Sequence, residues 1–269
     1  MISFPNAKIN LGLQITDKLP NGYHAINTCF YPIPITDALE AIPAKKTSFT
    51  STGIDIPGNG KDNLVLKAYR LLKKDYQLPE LDIHLLKKIP LGAGLGGGSS
   101  DAAFMLKMLS DEYQLFLDDS ILEYYASALG SDCPFFIQNT PAIGTGTGTD
   151  LEHIELDLKG HYLQIINPGI HVSTQSAYAG VTPKPAGYDL EELLLYGNFN
   201  HWKASLVNDF EESVFALHPE LAEIKSSLYT SGAVYAAMSG SGSTIFGIFK
   251  SKPQPLEVSA FSFQEIVLI

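Results

Sequence analysis

The chain has 269 residues, room for a large core and for two lobes. Hydrophobic residues make up 45% and charged residues 17%, which is globular rather than disordered composition. The net charge of −11 argues against a nucleic-acid surface, because polyanions are held by clusters of Lys and Arg; nucleotide binding stays open, since it needs only local donors.

In chain order, residues 7–15, 25–35 and 38–43 read as strands from their apolar, β-branched and aromatic content, with a turn at 18–22. Lys61-Asp-Asn63 caps a helix whose Leu64, Ala68, Leu71 and Leu72 recur at helical spacing. Residues 81–90 alternate at Leu81, Ile83 and Leu85 before Lys87, Lys88 and Pro90, a half-exposed strand suited to an antiparallel sheet. A glycine run leads into a helix over 101–116, and Asp119 or Ser120 caps another that Gly130 stops. Residues 143–150 read as a hairpin or a mobile loop. The strand at 162–167 opens a second unit, with helices over 189–196 and 202–216 and a third from Pro219 to about Tyr229. Strands at 234–238 and 244–249 flank Ser239-Gly-Ser-Gly-Ser243. This mixture predicts an α+β protein, divided into 1–158 and 159–269.

Cys29 and Cys133 fit a reducing compartment as buried free thiols. Met1-Ile-Ser-Phe-Pro has neither a basic start nor an apolar run, so no secretory leader is expected. No run of about 18 apolar residues occurs, so no membrane span is expected and the cytoplasm is the predicted location.

The most informative stretch is Pro90-Leu-Gly-Ala-Gly-Leu-Gly-Gly-Gly-Ser-Ser-Asp-Ala-Ala103. Ordering glycine costs more backbone entropy than ordering any other residue, and a bound anion is the obvious compensation. Without β-carbons the amides can close around phosphate oxygens, and a helix start behind them adds donors and positive potential. No lysine follows the glycines, so this is not the Walker arrangement. Gly92, Gly94 and Gly97 match G-x-G-x-x-G, but the half-exposed strand before them argues against a dinucleotide fold.

Three motifs in order resemble those of the GHMP kinases, the superfamily of galactose, homoserine, mevalonate and phosphomevalonate kinases. They are Phe4-Pro-Asn-Ala-Lys-Ile-Asn-Leu-Gly-Leu13 with Asn21-Gly-Tyr-His24, then the glycine run, then Met238-Ser-Gly-Ser-Gly-Ser-Thr-Ile-Phe246. Gly22-Tyr23-His24 and Gly130-Ser-Asp-Cys-Pro-Phe135 narrow the resemblance to the branch acting on a polyol linked to cytidine diphosphate, in the non-mevalonate route to isoprenoids. The resemblance implies a two-lobed fold, with an N-terminal lobe like ribosomal protein S5 domain 2 and a ferredoxin-like C-terminal lobe. It implies ATP as phosphoryl donor, Mg²⁺ arriving with it, and the cytidine diphosphate-linked polyol as the small-molecule partner; no nucleic acid and no membrane are expected as partners, and monomer and homodimer both stay open.

Roles carry over residue by residue. Pro90, Leu91, Gly92, Ala93, Gly94, Leu95, Gly96, Gly97, Gly98, Ser99 and Ser100 would hold the ATP phosphates, although the two serines equally suit helix caps. Asn63 and Lys87 match positions around the adenine; by pattern alone they are an N-cap and a solvated lysine at a strand end. Asp132 is implied to be the base, against a local turn before Pro134, and Lys8 its partner, against an edge-strand cation facing solvent. Tyr23 and Tyr178 would stack on the cytosine while His24 hydrogen-bonds to it; Asn10 and Thr174 would touch the diphosphate and polyol, or satisfy nearby backbone. Ser239 and Gly240 would meet the substrate as the third motif closes the cleft, or simply form a hairpin. The remaining histidines (His84, His153, His161, His171, His201 and His218) lack ligand spacing, and no metal-binding residues are predicted. Expected, then, is an ATP-dependent kinase of that polyol; a mevalonate- or sugar-type kinase and a non-catalytic nucleotide-binding protein are the rivals.

Overall fold

Alternation builds the first sheet. In β6 (Leu81–Lys87) the side chains of Leu81, Ile83 and Leu85 are fully buried, while Asp82 and Leu86 on the opposite face are exposed. β6 pairs antiparallel with β4 (Ala38–Pro43), as its pattern predicts, but parallel with β5 (Ser48–Gly53) on its other side. β5, mostly exposed Ser and Thr, carries no apolar pattern that would announce it. β1 (Ile2–Ser3) completes the order β1-β4-β6-β5.

This computed structural model describes residues 1–58, 60, 62–257 and 262–269. It comprises two compact units, neither a single stretch of chain. The first takes Met1–Ala7, Ile35–Leu91 and Gly96–Thr140; the second takes Lys8–Pro34, Gly92–Leu95 and Pro141–Ile269.

Helices of the first unit follow their caps. Asn63 caps α1 (Leu64–Asp75) by accepting from the amide of Val65, and α1 buries Val65, Leu66, Ala68, Tyr69 and Leu72. Lys61 of the predicted cap lies outside the described residues. α2 runs over Gly97–Glu112, four residues earlier at its start than predicted. The left-handed cap is Gly96 (φ 69°), so the last two glycines and both serines are helical, and neither Ser99 nor Ser100 is the cap. At the other end positive φ at Gln114 and Phe116 breaks the helix before 116. α3 (Asp119–Ser127) is capped by Asp118, one residue before the predicted pair, and the apolar run after Pro134 forms the short helix α4 (Phe135–Gln138).

The second unit holds two antiparallel sheets. One has the order β2 (Asn6–Lys18), β3 (His24–Thr36), β7 (Ala142–Thr145), β8 (Asp150–His153). The Gly/Thr segment is the β7–β8 hairpin, closed by Gly148 N–H to the Thr145 carbonyl at 2.9 Å. The other orders β10 (Tyr235–Met238), β11 (Ile245–Phe249), β9 (Tyr162–Asn167) and β12 (Phe263–Leu268). α5 (Thr174–Ala179), α6 (Leu190–Tyr196) and α7 (Phe199–Ser205) precede α8 (Phe210–Leu217) and α9 (Pro219–Thr230). Val214, Leu221, Ile224 and Leu228 of the last two helices pack with Ile166, Ala236, Ile245 and Phe249 in one core. The single helix predicted over 202–216 is broken, because Asn208 turns its amide to the carbonyls of Met238 and Gly240, each at 2.8 Å. Among the described residues no helix is long and apolar enough to cross a membrane. Cys29 and Cys133 are free and buried.

Candidate active site

The glycine run is bent where it must be. Gly92, Gly94 and Gly96 have positive φ, and Gly94 is also tightly enclosed in the second unit. A β-carbon on Gly94 would stand 2.0 Å from the Ser239 carbonyl oxygen. The Gly94 carbonyl accepts from Ser239 Oγ at 2.8 Å and Lys8 Nζ at 3.1 Å, and the neighbouring Leu95 carbonyl accepts from the backbone N–H of Lys8 in β2 at 3.0 Å. Ala93 accepts from the amide of Thr244 at 3.3 Å. Gly94→Ala is therefore expected to cost about 1–3 kcal/mol in backbone strain alone, with the clash added. A lower urea midpoint together with weaker ADP binding in a titration is the expected result; an unchanged midpoint would show that the loop rearranges freely.

Gly97 begins α2 in the first unit, and amides of its first turn have no carbonyl partner inside the helix. No acidic side chain occupies that turn, which leaves its positive potential open to an anion. Ser99 is half-buried; Ser100 is fully buried with its hydroxyl unpartnered. Pro90 is half-buried and Leu91 is exposed.

Lys8 does not face solvent. It is 3% exposed, its Nζ 2.6 Å from Asn10 Oδ1 and 5.3 Å from the centre of the Phe30 ring. Asn10 in turn donates through Nδ2 to Thr28 Oγ1 at 2.9 Å, and its backbone N–H donates to Ser239 Oγ at 3.2 Å. Gly240 lies against the same group: a β-carbon there would be 3.3 Å from Gly94 Cα and 3.4 Å from Asn10 Oδ1. The second unit thus gathers Lys8, Asn10, Gly94, Ser239 and Gly240. β10 and β11 make the third motif a hairpin as well.

Two of the aromatic candidates stack on one another. His24 and Tyr178 stack with centroids 4.8 Å apart and planes 13° from parallel, and Tyr178 meets Phe210 edge-on at 4.8 Å. Tyr23 is 65% exposed. Thr174 opens α5 with its hydroxyl 3.5 Å from that of Ser241.

In the first unit a cleft of about 400 Å³ is lined by apolar Ile56, Pro57, Leu64 and Leu91 and by Asn63, Lys87, Gly98 and Asp101. Asn63 both caps α1 and borders the cleft. Lys87 departs from the pattern reading of a solvated lysine: it is 1% exposed and ion-paired to Asp37 and Asp101, because burial of β6 on this face demands counter-charges. Asp132 is half-buried in the turn before α4. Beside it, burial pushes the Cys133 thiol up to about 12, so it stays protonated at neutral pH.

Asp37, Asp101 and Thr28 escaped the sequence reading as site residues. A signal existed for the first two, an acid inside apolar surroundings: Ile33-Pro-Ile-Thr-Asp37-Ala-Leu39 and Asp101-Ala-Ala-Phe-Met105. Thr28, in a strand where Thr is ordinary, carried none.

The family model for the GHMP kinases N terminal domain matches residues 63–140, and that for the GHMP kinases C terminal matches 189–261. A 4-diphosphocytidyl-2-C-methyl-D-erythritol kinase of Parabacteroides distasonis is 52% identical over 97% of this chain and 96% of its own length. One of the same name from Cytophaga hutchinsonii is 52% identical over 99% of each. A crystal structure of 4-(cytidine 5'-diphospho)-2C-methyl-D-erythritol kinase superposes with a TM-score of 0.78 at 34% identity, covering 92% of this chain and 90% of that one.

Proposed function

The chain belongs to the GHMP kinases, among the 4-diphosphocytidyl-2-C-methyl-D-erythritol kinases, and on that premise we propose how its residues move the terminal phosphoryl group of ATP to the 2-hydroxyl of that polyol. The product would enter the non-mevalonate route to isoprenoids, in the cytoplasm. The boundary between the two family domains is proposed near residue 158, in the interval between the two matched stretches.

One observation supports the reading most: Lys8, buried, is hydrogen-bonded to the carbonyl of Gly94 in the glycine loop. A cation fixed to the element proposed to hold ATP is pre-organised for charge that builds during transfer. Pro90 to Ser100 cradle the phosphates through backbone amides, with the open first turn of α2 contributing donors. Asn63 and Lys87 border the adenosine cleft. Asp132 takes the proton of the acceptor hydroxyl, a hindered tertiary alcohol that is weakly acidic, and Lys8 stabilises the oxygen as it attacks. Asn10 fixes the Lys8 ammonium and meets the diphosphate together with Thr174, Ser239 and Gly240. His24 reads the cytosine edge, and Tyr23 and Tyr178 supply stacking surface, worth about 1–3 kcal/mol per base.

Mg²⁺ is proposed to enter as the counterion of ATP. Among the described residues no three His, Cys, Asp or Glu side chains gather to hold a metal ion.

The decisive assay couples ADP release to the cytidylyl polyol plus ATP. Turnover is expected with that acceptor, and cytidine diphosphate should bind more tightly than mevalonate. Tighter binding of mevalonate would reject the acceptor assignment; ATP binding without turnover on any acceptor would reject the kinase mechanism.

A further inference from the structure

Two buried carboxyl groups in the first unit share a single ammonium. Lys87 Nζ lies 2.5 Å from Asp37 Oδ2 and 2.7 Å from Asp101 Oδ2, and none of the three side chains is more than 3% exposed. The two carboxyl groups are not equally served. Asp37 Oδ1 also accepts the backbone N–H groups of Lys88 at 2.6 Å and Ile89 at 2.9 Å. Asp101 receives no backbone N–H among the described residues: Lys87 donates to its Oδ2, its carboxyl group also shares a hydrogen bond with Asp37, and its Oδ1 is buried with no partner.

That inequality decides where a proton sits. One ammonium cannot neutralise two carboxylates, and a buried anion with a bare oxygen is unfavourable. Asp37, with three N–H donors, is the anion. Among the described residues the charged groups acting on Asp101 are Lys87 from β6 and Asp37 from the turn before β4. Asp62, on the same cleft, has a side chain 95% exposed to solvent. Burial, against the pull of Lys87 and with the repulsion of Asp37, raises the Asp101 carboxyl to about 7.

The cluster lies under the start of α2. Lys87 Nζ is 2.9 Å from where a β-carbon on Gly97 would stand, and Asp101 is the fifth residue of that helix. We propose that Lys87, Asp37 and Asp101 form a proton-linked regulator of anion affinity at the phosphate loop, neutral when Asp101 is protonated and negative when it is ionised. The inference rests on the reading above, that the start of α2 receives the ATP phosphates. A polyanion there disfavours ionised Asp101, so nucleotide binding draws a proton onto it. By the same linkage, affinity falls as pH rises through the titration of Asp101.

The test is isothermal titration of MgADP into the wild type and Asp101→Asn from about pH 6 to about pH 8, in buffers of different ionisation enthalpy. The amide mimics the protonated acid. Wild-type Kd is expected to rise about tenfold more across that range than the Kd of the variant, the size set by one added charge near an anion. Proton uptake on binding should be larger in the wild type. The nucleotide's own titration is common to both proteins and cancels. Equal pH dependence and equal uptake would overturn the proposal, whereas two folded proteins that bind no ADP at any pH would overturn the nucleotide reading itself. Should the variant not fold, infrared difference spectra of the wild type decide: a protonated-carboxyl band lost on raising the pH and restored by MgADP supports the proposal, and no such band rejects it.

Discussion

Asp132→Asn is expected to lower kcat by about 10²–10⁴-fold, the usual contribution of a positioned general base. The Kd for ADP should stay within about twofold of the wild type, because asparagine keeps the shape and loses only basicity. A protein that only binds nucleotide would show no such division, since it has no chemical step to lose. Single-turnover kinetics under saturating ATP and acceptor separate the chemical step from product release. An unchanged single-turnover rate would remove Asp132 from the mechanism. Lys8→Met offers an independent comparison. It takes an ammonium from Asn10 and from the Gly94 carbonyl, so its effect should reach nucleotide affinity as well as rate.

The second large effect concerns stability. Lys87→Met is expected to destabilise the fold by about 3–5 kcal/mol, the cost of leaving buried carboxyl groups without their cation. Removing one partner is far worse than replacing the whole cluster. Adding Asp101→Asn and Asp37→Asn to Lys87→Met should therefore recover part of the loss, in urea unfolding followed by far-ultraviolet circular dichroism. Asp37 still holds the amides of Lys88 and Ile89, so its replacement limits that recovery. If Lys87→Met alone left the midpoint unchanged, the cluster would not be a determinant of folding.

How much could be read from residues alone differs by element. The strand at 162–167 was legible to the residue, since Tyr162-Leu-Gln-Ile-Ile-Asn167 is short and β-branched. The α1 start was legible through Asn63, a side chain with its own hydrogen bond to offer. The start of α2 was not, because glycine is ordinarily a poor helix residue; here Gly97 is required by space, with Ile89 Cγ2 only 2.7 Å from a would-be β-carbon. The helix break at 206–209 was hidden because its cause, Asn208 bonding to Met238 and Gly240, is remote in sequence. The same remoteness concealed the burial of Lys87: nothing local to Leu86-Lys-Lys-Ile89 indicates that Asp37 and Asp101 will meet it. Candidate site residues were legible mainly through motif order, as their local patterns each allowed an ordinary structural explanation.

The interleaving of the two units along the chain bears on any attempt to express half of the protein. A fragment ending at residue 140 would strip β7 from β3, leaving a long strand with a bare edge open to self-association. A fragment ending anywhere between 158 and 206 would keep that sheet but sever Leu13 from both backbone partners, Val207 at 2.9 Å and Asp209 at 2.8 Å. Halves of this gene should therefore yield insoluble product when made separately, and soluble protein only when the pieces are produced together.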